Sequence, residues 1–236
     1  MYRIATGLLF LVLPFATTIA ERAQAKGPQK TDQPPVERLS EDVLRVGRIR
    51  VDLMNREIDV SGTINKNVMV LEFVANTLGG MKAYESAVTL DTDAIAFNTA
   101  LVLIGLDKSH VRGAPAHHFD PAVPEGDLVD VSVECPGGEC HHIPAEQLMF
   151  DREKNEVLTG GSWVYTGSSF IPNGPYRAEL DGVLIGFVHD PASIIEYTGS
   201  AALGRFGKIV LNPKLGVAPG TIVKMTVKAL GRPHGH

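Results

Sequence analysis

Residues Val129 to Glu146, VDVSVECPGGECHHIPAE, hold both cysteines of the chain, Cys135 and Cys140, and two of its eight histidines, His141 and His142. Val129, Val131 and Val133 alternate with Asp130, Ser132 and Glu134, the period of a half-buried strand. Pro136-Gly137-Gly138 then supplies a tight reversal, the proline fixing φ and a glycine free to take φ > 0. A loop over Pro136 to Glu139 sets Cys135 and Cys140 opposite each other on paired strands. Three chemistries fit. The first is a cross-strand disulfide, favoured by the even count in an oxidising compartment. Closing a loop of about six residues would stabilise the fold by roughly 2 kcal/mol. The second is a Cu or Zn site: Cys140 and His142 share a strand face with Cys135 across the hairpin, giving two thiolates and an imidazole. His117-His118 or His234 and His236 could add a fourth ligand. The third is a pair of inert or reversibly oxidised thiols, since no C-x-x-C is present.

Carboxylates offer another chemistry. Glu72 interrupts an apolar strand, and Glu85 follows the Gly79-Gly80 turn on its expected partner. With Lys82 or Tyr84 nearby, the two could form an acid/base pair of a hydrolase. The competing reading, which we favour, has both facing solvent or paired with Lys82, Arg48 or Arg50. Gly167-Ser168-Ser169 lacks the G-x-S-x-G spacing and the strand–turn–helix setting of a nucleophile elbow. No phosphate loop, dinucleotide fingerprint or H-E-x-x-H occurs. His117-His118 sits in a Pro/Ala-rich stretch, where solvated residues are expected. His189 precedes Asp190 as a strand-end residue rather than a base.

The elements that must position these groups are mostly hairpins. RIRVDLMNREIDVSGTIN predicts a hairpin turning near Met54 to Glu57, preceded by a helical turn that Ser40 caps. Val68 to Ala75 reads as a strand, with Lys82 to Leu90 returning beside it. Asp91 or Thr92 then caps a helix, DAIAFNTALVLIGL, ending at Gly105; its few polar residues require burial against a sheet. SWVYT (Ser162 to Thr166) is a strand carrying the only tryptophan, Trp163. Tyr176 to Leu180 and Val183 to Val188 flank Asp181-Gly182, a type I′ hairpin signal. Asp190-Pro191 predicts a second helix start, running to about Tyr197. Lys208 to Leu211 and Thr221 to Leu230 close the chain as strands. The expected class is α+β, mostly antiparallel hairpins packed against two helices in a single domain.

Compartment follows from the first residues. Arg3, an apolar run from Ile4 to Phe15, and Thr18-Ile19-Ala20 or Ala23-Gln24-Ala25 match a cleaved secretory signal over residues 1–25. The run is shorter than the roughly 18–20 residues of a spanning helix, and Pro14 interrupts it. Residues 26–39 are rich in Lys, Gln and Pro and read as a disordered linker. Residues 40–232 form the domain, and 233–236 a tail. The mature chain carries 20 basic and 26 acidic side chains. It has no basic run, which disfavours nucleic acid as a partner. A periplasmic or envelope protein with an unidentified envelope ligand or protein partner, and no membrane span after cleavage, is the expectation.

Several segments carry a family resemblance: LEFVANTLGGMKAYESAV, the helix ending in LVLIGL, SWVYTGSSF and DGVLIGFVHDPASII. Together they resemble the YdjY-like domain of exported bacterial proteins, over about Val43 to Leu230. The motif positions are Glu72, Gly80-x-Lys82-x-Tyr84-Glu85-Ser86, Trp163-Val164-Tyr165-x-Gly167-Ser168 and Asp190-Pro191. The resemblance implies one exported domain and supplies no catalytic residues or cofactor. It points to Glu72, Lys82, Glu85 and Trp163 as binding residues, and it sets the cysteine pair apart as a feature of this chain. The reading that results is an exported, non-enzymatic binding or scaffolding domain. The Cys/His metal site (Cys135, Cys140, His142) and the Glu72/Glu85 hydrolase stand as alternatives.

Overall fold

Alternating apolar side chains set the architecture. On the last strand Val223, Met225, Val227 and Ala229 are buried, while their neighbours face outward or sit half-buried. A strand with one apolar face must be covered. A sheet can cover itself by curling until its first and last strands pair.

In a computed structural model, which describes residues 33–66, 68–135, 141–199 and 207–231, the chain does this. A meander opens it: β1 (Val36–Arg38), β2 (Val43–Val46), β3 (Ile49–Asp52) and β4 (Glu57–Ile64). Next come β5 (Phe73–Thr77), β6 (Ser86–Leu90), α1 (Ala94–Leu103), β7 (Asp127–Glu134) and β8 (Ile143–Pro144). β9 (Met149–Asp151), β10 (Glu156–Val157), β11 (Trp163–Tyr165), α2 (Arg177–Asp181) and β12 (Val183–Gly186) follow. The chain closes with β13 (Ile195–Tyr197), β14 (Ile209–Leu211) and β15 (Ile222–Gly231). Strands β4, β15, β7, β11, β13, β12, β5 and β6 pair in that order, and β6 pairs back onto β4. The result is a closed eight-stranded barrel. β3, β2 and β1 extend its wall, and β10, β9 and β14 form a separate small sheet. No helix among the described residues is long and apolar enough to cross a membrane.

This corrects the expected α+β class. Closure buries the inner face and removes sheet edges without a layer of helices. Of the two predicted helices only α1 forms, with Phe97 and Leu101 fully buried. Asp93, rather than Asp91 or Thr92, caps it by accepting from Ala96 N at 2.6 Å, and Gly105 ends it at φ +90°.

Two expected hairpins are also replaced. β5 and β6 run parallel, because Met81–Glu85 is a 3₁₀ turn that carries the chain back along the wall. Tyr176 to Leu180 is not a strand: Arg177–Asp181 is the short helix α2, and Gly182 is its left-handed C-cap. An Asp-Gly pair with φ > 0 at glycine serves a helix end as well as a hairpin turn. The predicted helix after Asp190 is absent. Asp190 Oδ1 accepts from Ala192 N at 2.7 Å in a local turn, and the β-branched Ile195 opens β13, parallel to β12. Ser40 starts no helical turn, since Val43 already belongs to β2, and β1 lies inside the stretch read as linker. The β3–β4 hairpin forms as expected.

Candidate functional site

Strand directions gather the predicted residues at one end of the barrel. β5, β6, β11 and β15 begin at the rim where β4, β7, β12 and β13 end. Glu72 immediately precedes β5, Glu85 immediately precedes β6, Trp163 opens β11, and Cys135 follows β7. Asp190 follows β12 at the same rim.

Glu72 and Glu85 lie side by side just ahead of adjacent strands, with Glu72 N donating to Glu85 O at 2.9 Å. Both side chains are buried, so each needs compensation. Glu85 Oε1 takes Lys82 Nζ at 2.5 Å. Burial opposes the charge on Lys82, yet its bond to Glu85 and the fields of Glu85, Tyr84 and Glu72 outweigh that and raise its pKa. The same ammonium lies 5.7 Å from the Phe73 ring centroid and 5.9 Å from that of Tyr84. Arg48 and Arg50 take no part: Arg48 pairs with Asp91, and Arg50 with Asp52 and Asp59.

The partner of Glu72 is His118, which the sequence placed in a solvated stretch. Its Nε2 is 3.1 Å from Glu72 Oε2, and its Nδ1 is 2.7 Å from Asp190 Oδ2. Bonds to Asp190 and Glu72 raise the imidazole pKa to about 9 against the effect of burial. Behind Asp190 sits Glu196, fully buried, whose Oε1 accepts from Asp190 N at 3.0 Å. Burial pushes its carboxyl pKa well above the usual range. Glu196 Oε2 and Ser193 Oγ complete no hydrogen bond of good geometry. Asp181, at the end of α2, is also raised, by burial and then by Asp190.

This arrangement limits the chemistry. A neutral imidazole donates from one nitrogen only, so two carboxylate acceptors hold His118 as an imidazolium. In that state it can neither take a proton nor ligate a metal. Glu72 and Asp190 approach it from opposite sides of the ring and share no centre. The acid/base pair read from the sequence is thus brought together, but each carboxylate is matched to a cation.

Trp163 stands apart from this network. Its Nε1 donates to Glu146 Oε2 at 3.0 Å, and its ring tilts against Tyr197 at 4.9 Å. His189 is buried rather than a simple strand-end residue, with Nδ1 2.9 Å from Asp120 O and Nε2 3.1 Å from Tyr197 O. At the opposite rim Asp127 holds His110 through Oδ1 and Nδ1 at 2.8 Å, a pairing no local motif signals.

The cysteine hairpin is described only in part. Cys135 is buried, whereas Cys140 lies outside the described residues, as do His234 and His236. The pairing of Cys135 with Cys140 therefore falls outside them too. His142 leaves the expected strand face: β8 spans only Ile143–Pro144, and His142 takes φ +37° with Nδ1 3.8 Å from Glu134 Oε1. Among the described residues no three His, Cys, Asp or Glu side chains are grouped to hold a metal ion.

Comparison with known proteins adds one finding. No curated protein and no solved structure matches the chain. A family model described as the YdjY domain matches residues 49–228, from the first residue of β3 almost to the end of β15. That span takes in the barrel up to the last three residues of β15 and every residue of the rim cluster, and the chain belongs to the YdjY domain family.

Proposed function

We propose that the protein is an exported, non-enzymatic binding domain of the cell envelope, acting through the barrel rim that carries Lys82, Glu85, Glu72 and His118. The observation that carries this reading is the pairing of the rim's ionisable groups. Glu85 is matched by Lys82, Glu72 by His118, and both ring nitrogens of His118 are engaged. Such a network orients and rigidifies a surface; it leaves no free base beside a free acid. The 3₁₀ turn over Met81–Glu85 adds a contact face. Residues three apart eclipse in a 3₁₀ helix, so Met81 and Tyr84, 67% and 62% exposed, lie side by side next to Lys82. Exposed apolar and aromatic side chains beside charge favour recognition of a partner. Export rests on the amino-terminal signal pattern.

The test uses the mature chain, residues 26–236, with chromogenic ester, phosphate, glycoside and peptide substrates. No turnover above buffer is expected. Titration with pools of envelope peptides and glycans should shift NMR resonances of Lys82, Tyr84 and Glu85. Turnover that Glu72→Gln or Glu85→Gln removes would replace this reading with the hydrolase.

A further inference from the structure

We propose that the 112–125 segment is a reversible strap, latched over Phe73 on the barrel wall by protonated His118, and that it opens without unfolding the barrel. The segment has the anatomy of an Ω-loop. Its neck is closed by a reciprocal backbone bridge: Arg112 N donates to Glu125 O at 3.0 Å, and Glu125 N to Arg112 O at 2.9 Å. Within the loop, Asp120 accepts from Ala116 N at 2.8 Å and Ala122 N at 2.9 Å, so the tip moves as a preformed unit.

Histidines make the polar contacts that dock this tip. His118 reaches Asp190 and Glu72; Phe119 N donates to His189 O at 2.9 Å; and His189 Nδ1 meets Asp120 O. The His118 ring lies 6.3 Å from that of Phe73 and 4.3 Å from that of Phe119. Phe119 itself takes φ +58°, a conformation bulky side chains avoid unless their surroundings impose it. Docking holds that strain, and release relieves it.

The Phe73 ring that His118 approaches belongs to an apolar group separable from the core. Phe73, Val183 and Ala192 form their own small apolar cluster, distinct from the large one that fills the barrel. A satellite cluster can be uncovered in a local opening while the strands stay paired. The charged groups facing His118 are Glu72 ahead of β5, Asp190 after β12 and Glu196 on β13, with Lys82 acting on Glu72 from the crossover turn. Glu72 and Asp190 bond His118 directly, while burial disfavours ionisation of Glu196, so the latch depends on the imidazolium charge between those two carboxylates. Alkaline conditions remove that charge and open the strap.

The experiment is quench-flow hydrogen exchange with NMR readout on the mature protein at pH 7 and pH 10, corrected for intrinsic exchange. Protection of the Phe119 amide should fall about tenfold or more between the two, while the Met225 and Val227 amides of β15 keep theirs. His118→Gln should give the low Phe119 protection at both pH values; if that variant does not fold, Glu72→Gln, which leaves only Asp190 holding the imidazolium, should move the loss of Phe119 protection to lower pH. Phe119 protection that is independent of pH in the wild type overturns the proposal. So does loss that coincides with loss in β15.

Discussion

The Nε2 atom of His118 lies 3.1 Å from Oε2 of Glu72, across a sequence separation that no local pattern bridges. It places a cation from a surface loop onto a buried carboxylate at the start of β5. Without that imidazolium, the buried Glu72 would lose its directly bonded cation and keep only the more distant field of Lys82.

Stability should therefore fall on the alkaline side. A histidine whose folded pKa is raised contributes fully below its unfolded value, near 6.5, and the contribution disappears as pH rises through about 9. The His118 side chain is 36% exposed, so solvent screening reduces the effect to about 1–2 kcal/mol. Thermal melts of the wild type from pH 6 to pH 10 should show this loss, and His118→Gln should flatten it. A wild-type curve level across that range contradicts the assignment.

Glu196 predicts a slope of the same sign from a different cause. Its folded pKa is raised by burial, so folding disfavours its ionisation. Between the unfolded carboxylate pKa and the higher folded one, stability drops as pH increases. Glu196→Gln keeps an acceptor for Asp190 N and removes the ionisation. The variant should match the wild type near pH 4 and melt higher near pH 8; equal melting at both would show that Glu196 is not held neutral.

The Trp163–Tyr197 contact depends on a missing side chain. A Cβ at Gly161 would fall 2.4 Å from Tyr197 Cζ and 2.5 Å from Gly199 N. Gly161→Ala should cost about 1–3 kcal/mol in urea unfolding through overpacking. Displacing Tyr197 should also move the emission of Trp163. An unshifted spectrum with unchanged stability would mean that the loop yields without cost.

For the cysteines the expected state is a disulfide. Thiol titration of the denatured mature protein should find none free, and Cys135→Ser with Cys140→Ser should lower stability by about 2 kcal/mol. Two titratable thiols together with stoichiometric Cu or Zn would instead favour the metal site.

Much of the strand inventory was legible because period-two alternation survives in a single chain. β7 and β15 each carry an apolar face that any covered sheet requires. α1 was legible too, since its apolar run is bounded by an Asp cap and Gly105. The misreadings cluster where one local signal serves two structures. Asp181-Gly182 ends α2 instead of turning a hairpin, and Asp190-Pro191 starts a turn instead of a helix. Each choice was settled by pairing with distant strands. Glu72, Lys82 and Glu85, expected near one another, do lie together, whereas Trp163 stands apart on Glu146.

By itself, then, the sequence determined many of the strands, the presence of α1 and its end at Gly105, membership of the YdjY family, and a carboxylate–lysine cluster near the Gly79-Gly80 turn. Tertiary structure alone decided that the sheet closes into a barrel, that β5 pairs in parallel with β6, and that His118 docks between Glu72 and Asp190. The reason is range. Alternation and capping are local and leave a mark within a few residues. Barrel closure and the charge balance of a buried carboxylate are satisfied by whatever the fold brings near.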